Sequence, residues 1–217
     1  MSHFAVYVFT KENGKSVDEL LAPYNEAIVY APYIQYTRQQ AIEKVRKEIN
    51  DFKNSNIYQD FLRDPDAYKQ NCKSEDHIKY LEEKFPKKLK WTDDECYEDM
   101  KAWYEDDMVD KNGNLLSTYN PNSKWDWYEF GGRWDEELIN KEGKNTNIDY
   151  ANQIDWDKTC VPFAFVEPNG VWHEKGEMGW WAMVSNEKEQ DSWKEEFENF
   201  VKDLDDEVEV TIVDCHI

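Results

Sequence analysis

His3-Phe-Ala-Val-Tyr-Val-Phe9 opens the chain with a run that is apolar on both sides of an extended backbone, the pattern of a strand in the middle of a sheet. At the other end, Glu207 to Ile217 alternates apolar with polar residues and closes on Val213-Asp-Cys-His-Ile217, a second strand. Strands at both ends with helices between them predict an α+β fold. Its sheet is expected to be mixed or antiparallel and of ferredoxin-like kind, with the last strand running antiparallel beside the first. If residue 3 then lies opposite residue 216, His3 and His216 share one face and Asp214 comes next along it. Opposed β-carbons in such a pair stand roughly 5 Å apart. Two imidazoles and a carboxylate at that spacing can hold a metal ion, or serve as an acid and a base on a phosphodiester. A register slip of one residue would send His216 to the other face. The plainer alternative is two partly exposed histidines at strand ends.

Between these strands the chain turns helical. Val17 to Leu21 forms a short helix stopped by Pro23. Thr37 is a good N-cap, and Ile42, Val45, Ile49 and Phe52 recur at helical spacing, which predicts a helix over 38–52. Further short helices follow, broken at Asp64-Pro65 and Phe85-Pro86. Ser74 caps one of them and Thr92-Asp-Asp-Glu95 is a capping box for another. Residues 37–105 therefore read as a helical insertion or subdomain within a single α+β domain spanning 1–217. Lys141 to Asn147 reads as a mobile polar loop. Val161 to Val166, the turn Pro168-Asn169-Gly170 and Val171 to Glu174 read as a hairpin, with Gly176 to Val184 continuing the sheet. A last helix over 190–204 carries Trp193, Phe197, Phe200, Val201 and Leu204 on one stripe.

The middle of the chain is the most unusual in composition. Asn120-Pro-Asn-Ser-Lys-Trp-Asp-Trp-Tyr-Glu-Phe-Gly-Gly-Arg-Trp134 packs three tryptophans, a tyrosine and a phenylalanine beside a diglycine and one arginine. Trp125 to Phe130 suits a half-buried strand, and Gly131-Gly132 a turn that lets another group approach closely. One reading makes Trp125, Trp127 and Trp134 packing. The other makes them, with Arg133, the lining of a ligand pocket, because a guanidinium beside rings can stack on a base or pair with a phosphate. Lys124 and Lys175 are candidates for local positive charge, and Trp180 for a further lining ring. His173 is a candidate third polar group for the His3 and His216 site.

Ten tryptophans among 217 residues provide for a sizeable core. The 47 acidic against 26 basic residues give a formal charge of −21, which opposes non-specific binding to nucleic acid or to an anionic membrane. The opening residues lead straight into the strand-like 3–9 segment, so no signal segment is expected, and no apolar run is long enough to span a bilayer. The four cysteines form no CxxC pair, so no metal, cofactor or disulfide framework is assigned and a reducing compartment is expected. Walker, Rossmann, HExxH and Gly-x-Ser-x-Gly patterns are absent. Cys215 has only His216 beside it to activate a thiolate, too little for a nucleophile.

Ser2-His3-Phe4, Leu21-Ala-Pro-Tyr-Asn-Glu26, Asn120 to Trp134, Trp172 to Trp181 and Val213 to Ile217 resemble a family of tailed-bacteriophage proteins sharing NPxSKWDWYxxGGRW, WHEKGEMGWW and VDCHI motifs. The resemblance covers nearly the whole chain. It implies an accessory protein made in the cytoplasm of an infected bacterium, among which are proteins that counter host defence; it brings no established catalytic residues. Three functions are thereby in play. One is a sponge that sequesters a nucleotide-type immune signal, such as a cyclic nucleotide, in the Trp/Arg pocket. Another is a phosphodiesterase that degrades such a signal with His3, His173 and His216. The last is an acidic protein–protein inhibitor or DNA mimic. A small nucleotide-type ligand is the expected partner, and self-association is left open.

Overall fold

The protein is described by a computed structural model that covers residues 2–179 and 183–217. The chain forms two compact units, one of Met1–Val29 with Tyr119–Ile217 and one of Tyr30–Thr118.

The first unit is built on a six-stranded sheet. Its strands are β1 (His3–Lys11), β2 (Trp127–Phe130), β3 (Ile148–Tyr150), β4 (Ala164–Val166), β5 (Trp172–Glu174) and β6 (Val208–His216). Their order is β2-β6-β1-β4-β5, with β3 pairing the same edge of β6 as β2 but further along it. As expected from the sequence, β1 and β6 pair antiparallel over their full length. β4 runs parallel to β1, and β5 antiparallel to β4. This order departs from a ferredoxin-like sheet, where the second strand of the hairpin lies beside the first strand of the fold. Here β4, the first strand of its hairpin, takes that place and β5 forms the edge.

Strand alternation divides the sheet into two packed faces. On one, Tyr7, Phe9, Val210, Ile212 and Phe165 meet Trp193 and Phe197 of the helix Gln190–Lys202. The Trp193 indole donates to the Pro162 carbonyl at 2.8 Å, so its one polar atom is not stranded. Each such ring, fully buried, contributes about 2–3 kcal/mol. On the other face, Phe4, Val6, Val8, Val213 and Cys215 pack with Leu20, Leu21 and Trp125. Leu20 and Leu21 belong to the short helix Val17–Leu21, started by a Ser16 and Glu19 capping box.

Two expected segments differ. Among the described residues of 176–184 none extends the main sheet: Glu177–Met178 and Val184–Ser185 pair as a separate ribbon, and 180–182 lie outside the described residues. Lys141 to Asn147 is a structured segment that supplies the turn and the second strand of a hairpin pairing Leu138–Ile139 with Asn145–Thr146. The Asn140 side chain shapes that turn, accepting from the amides of Glu142 and Lys144 at 3.1 and 2.9 Å.

The second unit is helical, as the capping signals predict, and wider than 37–105. It is closed by a strand pair, Tyr33–Tyr36 with Leu115–Ser117, that lies outside those limits. Thr37 and Gln40 form a capping box for Arg38–Asn54, and Thr92 and Glu95 another for Asp93–Lys101. Ala41, Ile42 and Val45 pack against Cys96, Tyr97 and Leu115. Tyr58, Phe61, Leu81 and Phe85 form a second cluster.

Candidate functional site

The apolar rows of the helix-covered face run out toward the start of β1. Phe9 opposes Val210 and Tyr7 opposes Ile212, but Ala5 opposes Asp214 and His3 opposes His216. The two imidazole centroids lie 4.9 Å apart with their planes at 70°. Each ring has its own carboxylate: His3 Nδ1 lies 3.0 Å from Asp214 Oδ1, and His216 Nδ1 lies 2.6 Å from Asp126 Oδ1. Asp214 is 2% exposed and His216 5%. In the tautomer that donates Nδ1–H to the carboxylate, each Nε2 carries the ring's lone pair. His216 Nε2 is buried and has no hydrogen-bond partner among the described residues.

The diglycine closes over this pair. Asp214 Oδ2 accepts from the Arg133 backbone N–H at 3.0 Å, so one carboxylate holds both the His3 ring and the turn that carries Arg133. Gly131 and Gly132 have φ of +68° and +57°, a region that glycine enters without steric cost. A β-carbon on Gly132 would also stand 2.4 Å from the Asp214 β-carbon. The sequence therefore needs glycine there on two counts. Trp127 faces His216 across β2 and β6 and stacks on it, centroids 5.2 Å apart and planes at 22°. It meets His3 edge-on at 5.5 Å, and 43% of it is exposed. Beside His3 lies a hollow of about 330 Å³, lined also by Trp134, Glu137, Cys160, Phe163 and Met178. Burial raises the Tyr7 hydroxyl in its floor well above the ordinary range, with Cys160 and Glu137 adding to the effect. A larger groove of about 610 Å³ lies at the far end of β1, around Lys11, Glu167, Phe200 and Asp205, and contains no histidine.

The structure thus brings together His3, His216, Trp127, Arg133 and Trp134, and separates the other candidates. Trp125 is core: it is 6% exposed, packs on the opposite face, and donates its indole N–H to Leu21 at 3.1 Å. It precedes β2, so the alternation that places Trp127 does not govern it. Lys124 is tied to Glu174 at 2.5 Å and Lys175 to Glu187 at 2.7 Å, so neither charge is spare. Trp134 is half-buried against the core and lines the hollow with one side. Arg133 is exposed, and no described residue pairs with its guanidinium. Trp180 lies outside the described residues.

His173 does not join the other two. It opposes Phe165, which opposes Tyr7, four residues along from His3 and two strands across, on the order of 15 Å away. There it stacks on Phe165 at 4.5 Å, with Glu167 at 2.7 Å from Nε2 and Glu196 at 3.3 Å from Nδ1. Burial pushes the Cys215 thiol well up, and Asp214 adds to the shift, in keeping with its dismissal as a nucleophile. Asp126 is the residue that sequence reasoning missed. Its amide donates to the His216 carbonyl at 3.0 Å while its side chain meets the ring. Only the pairing of β2 with β6 shows that contact.

Among the described residues, no group of three or more His, Cys, Asp or Glu is arranged to hold a metal ion, and no helix is long and apolar enough to cross a membrane. Comparison with known protein families, curated proteins and solved structures found no match.

Proposed function

We propose that the His3 end of the sheet face captures a small nucleotide-type ligand. In this reading the chain is a phage accessory protein that sequesters a host immune signal in the cytoplasm of the infected bacterium. One observation carries the proposal. Asp214 fixes His3 with one oxygen and the Arg133 turn with the other, beside the exposed ring of Trp127. A base stacking on that indole gains about 1–3 kcal/mol. The exposed Arg133 guanidinium, on the turn that Asp214 holds, would meet a phosphate through a charge-assisted hydrogen bond. Lys124 and Lys175, both already paired, have no part in this version of the site.

The test is to incubate the protein with a panel of mono-, di- and cyclic nucleotides, remove unbound material, denature, and identify what is released. Capture predicts intact nucleotide in stoichiometric amount. Failure to retain any member of the panel defeats the proposal. A second reading, hydrolysis of the same class of molecule, is favoured by the way Asp214 and Asp126 orient His3 and His216, since a positioned imidazole is the usual general base. Under that reading the nucleotide returns cleaved, and His216→Ala ends the cleavage while the fold persists.

A further inference from the structure

We infer that His3 and His216 together bind a divalent transition-metal ion of the zinc or nickel class, and that this ion anchors the phosphate of the ligand. The ion site rests on the geometry of the two imidazoles; only its role as a phosphate anchor rests on the ligand reading above.

Both rings are held in the same way. Each Nδ1 meets a separate carboxylate, Asp214 for His3 and Asp126 for His216, which is how a metal-bound histidine is normally oriented from behind. In the tautomer in which each Nδ1–H donates to its carboxylate, both Nε2 atoms carry a lone pair available to a metal ion. The spacing fits a shared ion. With metal–nitrogen bonds of about 2.0–2.1 Å and tetrahedral angles, two imidazoles on one ion place their centroids roughly 5 Å apart; here the separation is 4.9 Å. His216 Nε2 gives an independent sign. It is buried without a hydrogen-bond partner among the described residues, and a buried polar atom of that kind calls for an ion or another partner.

Charge points the same way. Asp126 and Asp214 stand behind the rings, and Glu129 opposes Asp214 on β2, in a chain of net charge −21. A dication among these groups reverses the local sign and lets an anionic ligand approach. Imidazole ligands select zinc, nickel or copper over calcium or magnesium. No third protein ligand joins the pair among the described residues, so the remaining coordination positions fall to water or to phosphate oxygens.

Calorimetric titration of Ni²⁺ into the full chain tests this, with excess Ca²⁺ present to occupy carboxylate-only sites. One ion per chain is expected. His3→Gln and His216→Gln, each first checked for an unchanged far-UV spectrum, should abolish that binding step. Asp126→Asn keeps both rings and should weaken binding about 10–100-fold. Cys160→Ser, which removes the thiol of the adjacent hollow, should leave it unchanged. Absence of a Ni²⁺ step in the wild-type chain overturns the inference, as does wild-type affinity in either histidine variant or lost affinity in Cys160→Ser. Histidine-dependent Ni²⁺ binding that no nucleotide strengthens upholds the ion site and removes its role as a phosphate anchor, whereas failure to retain any nucleotide removes the ligand reading itself.

Discussion

Two histidines on one sheet face show how differently its two ends are built. His173, at the apolar end, stacks on Phe165 and has both ring nitrogens facing carboxylates, those of Glu167 and Glu196. Nothing in it is left to act on a ligand. His216, two rows away on the same face, spends Nδ1 on Asp126 and leaves Nε2 buried and without a hydrogen-bond partner among the described residues. Along the face the rows change in character, with Phe9, Tyr7 and Ile212 under the helix and then Asp214 and His3 beyond it. One end of the face is organised to hold the sheet together. The other keeps hydrogen-bonding capacity that stability alone does not use.

That contrast can be broken most severely at the apolar end. Phe197→Ala removes a ring that is 2% exposed and should cost about 3–5 kcal/mol, read by chemical denaturation; a loss below about 1 kcal/mol would mean the helix is not what secures this face. Gly132→Ala comes next. It pairs a positive φ with a β-carbon 2.4 Å from Asp214, and should cost about 1–3 kcal/mol while lowering nucleotide affinity, because the turn and Asp214 move together. If stability falls and affinity holds, the turn is scaffold only.

Smaller effects sharpen the comparison. Arg133→Ala touches an exposed side chain and should change stability by less than about 0.5 kcal/mol. Its effect should appear in nucleotide retention instead, as a drop of about tenfold or more, the consequence of losing a charge-assisted contact. His173→Gln should leave retention unchanged. The smallest signal is a matter of sidedness. Cys215 sits between Asp214 and His216 but on the other face, fully buried, with its thiol pushed well up by that burial. A thiol reagent at mildly alkaline pH should therefore label exposed Cys160 and spare Cys215 until the protein unfolds.

The terminal strands were legible because their composition left little choice. A run apolar on both sides has to be central, and pairing the first strand with the last puts residue 3 opposite residue 216, as observed. Helix starts were equally plain at Thr37, Ser74 and Thr92, where a side chain satisfies amides that the helix leaves open. What could not be read was the placement of residues just outside strands. Trp125 and Trp127 look equivalent by alternation, yet β2 begins only at Trp127, and Trp125 turns into the opposite core. Asp126 escaped notice for the same reason, since its partner lies 90 residues away. Lys124 and Lys175 look like spare charge in the sequence, but Glu174 and Glu187 pair with them from positions that no local pattern links to them. The sheet order, with β4 rather than β5 beside β1, depends on a long crossover that no local pattern encodes.

The most direct test of the difference between the two ends is to follow all four imidazoles by nitrogen NMR while a retained nucleotide is titrated in. His3 and His216 should shift together and saturate at one ligand per chain, with His173 unmoved and likewise His77, which meets Tyr68 in the helical unit. Shifts centred on His173, or equal small changes at all four rings, would contradict the assignment of ligand binding to the His3 end of the face.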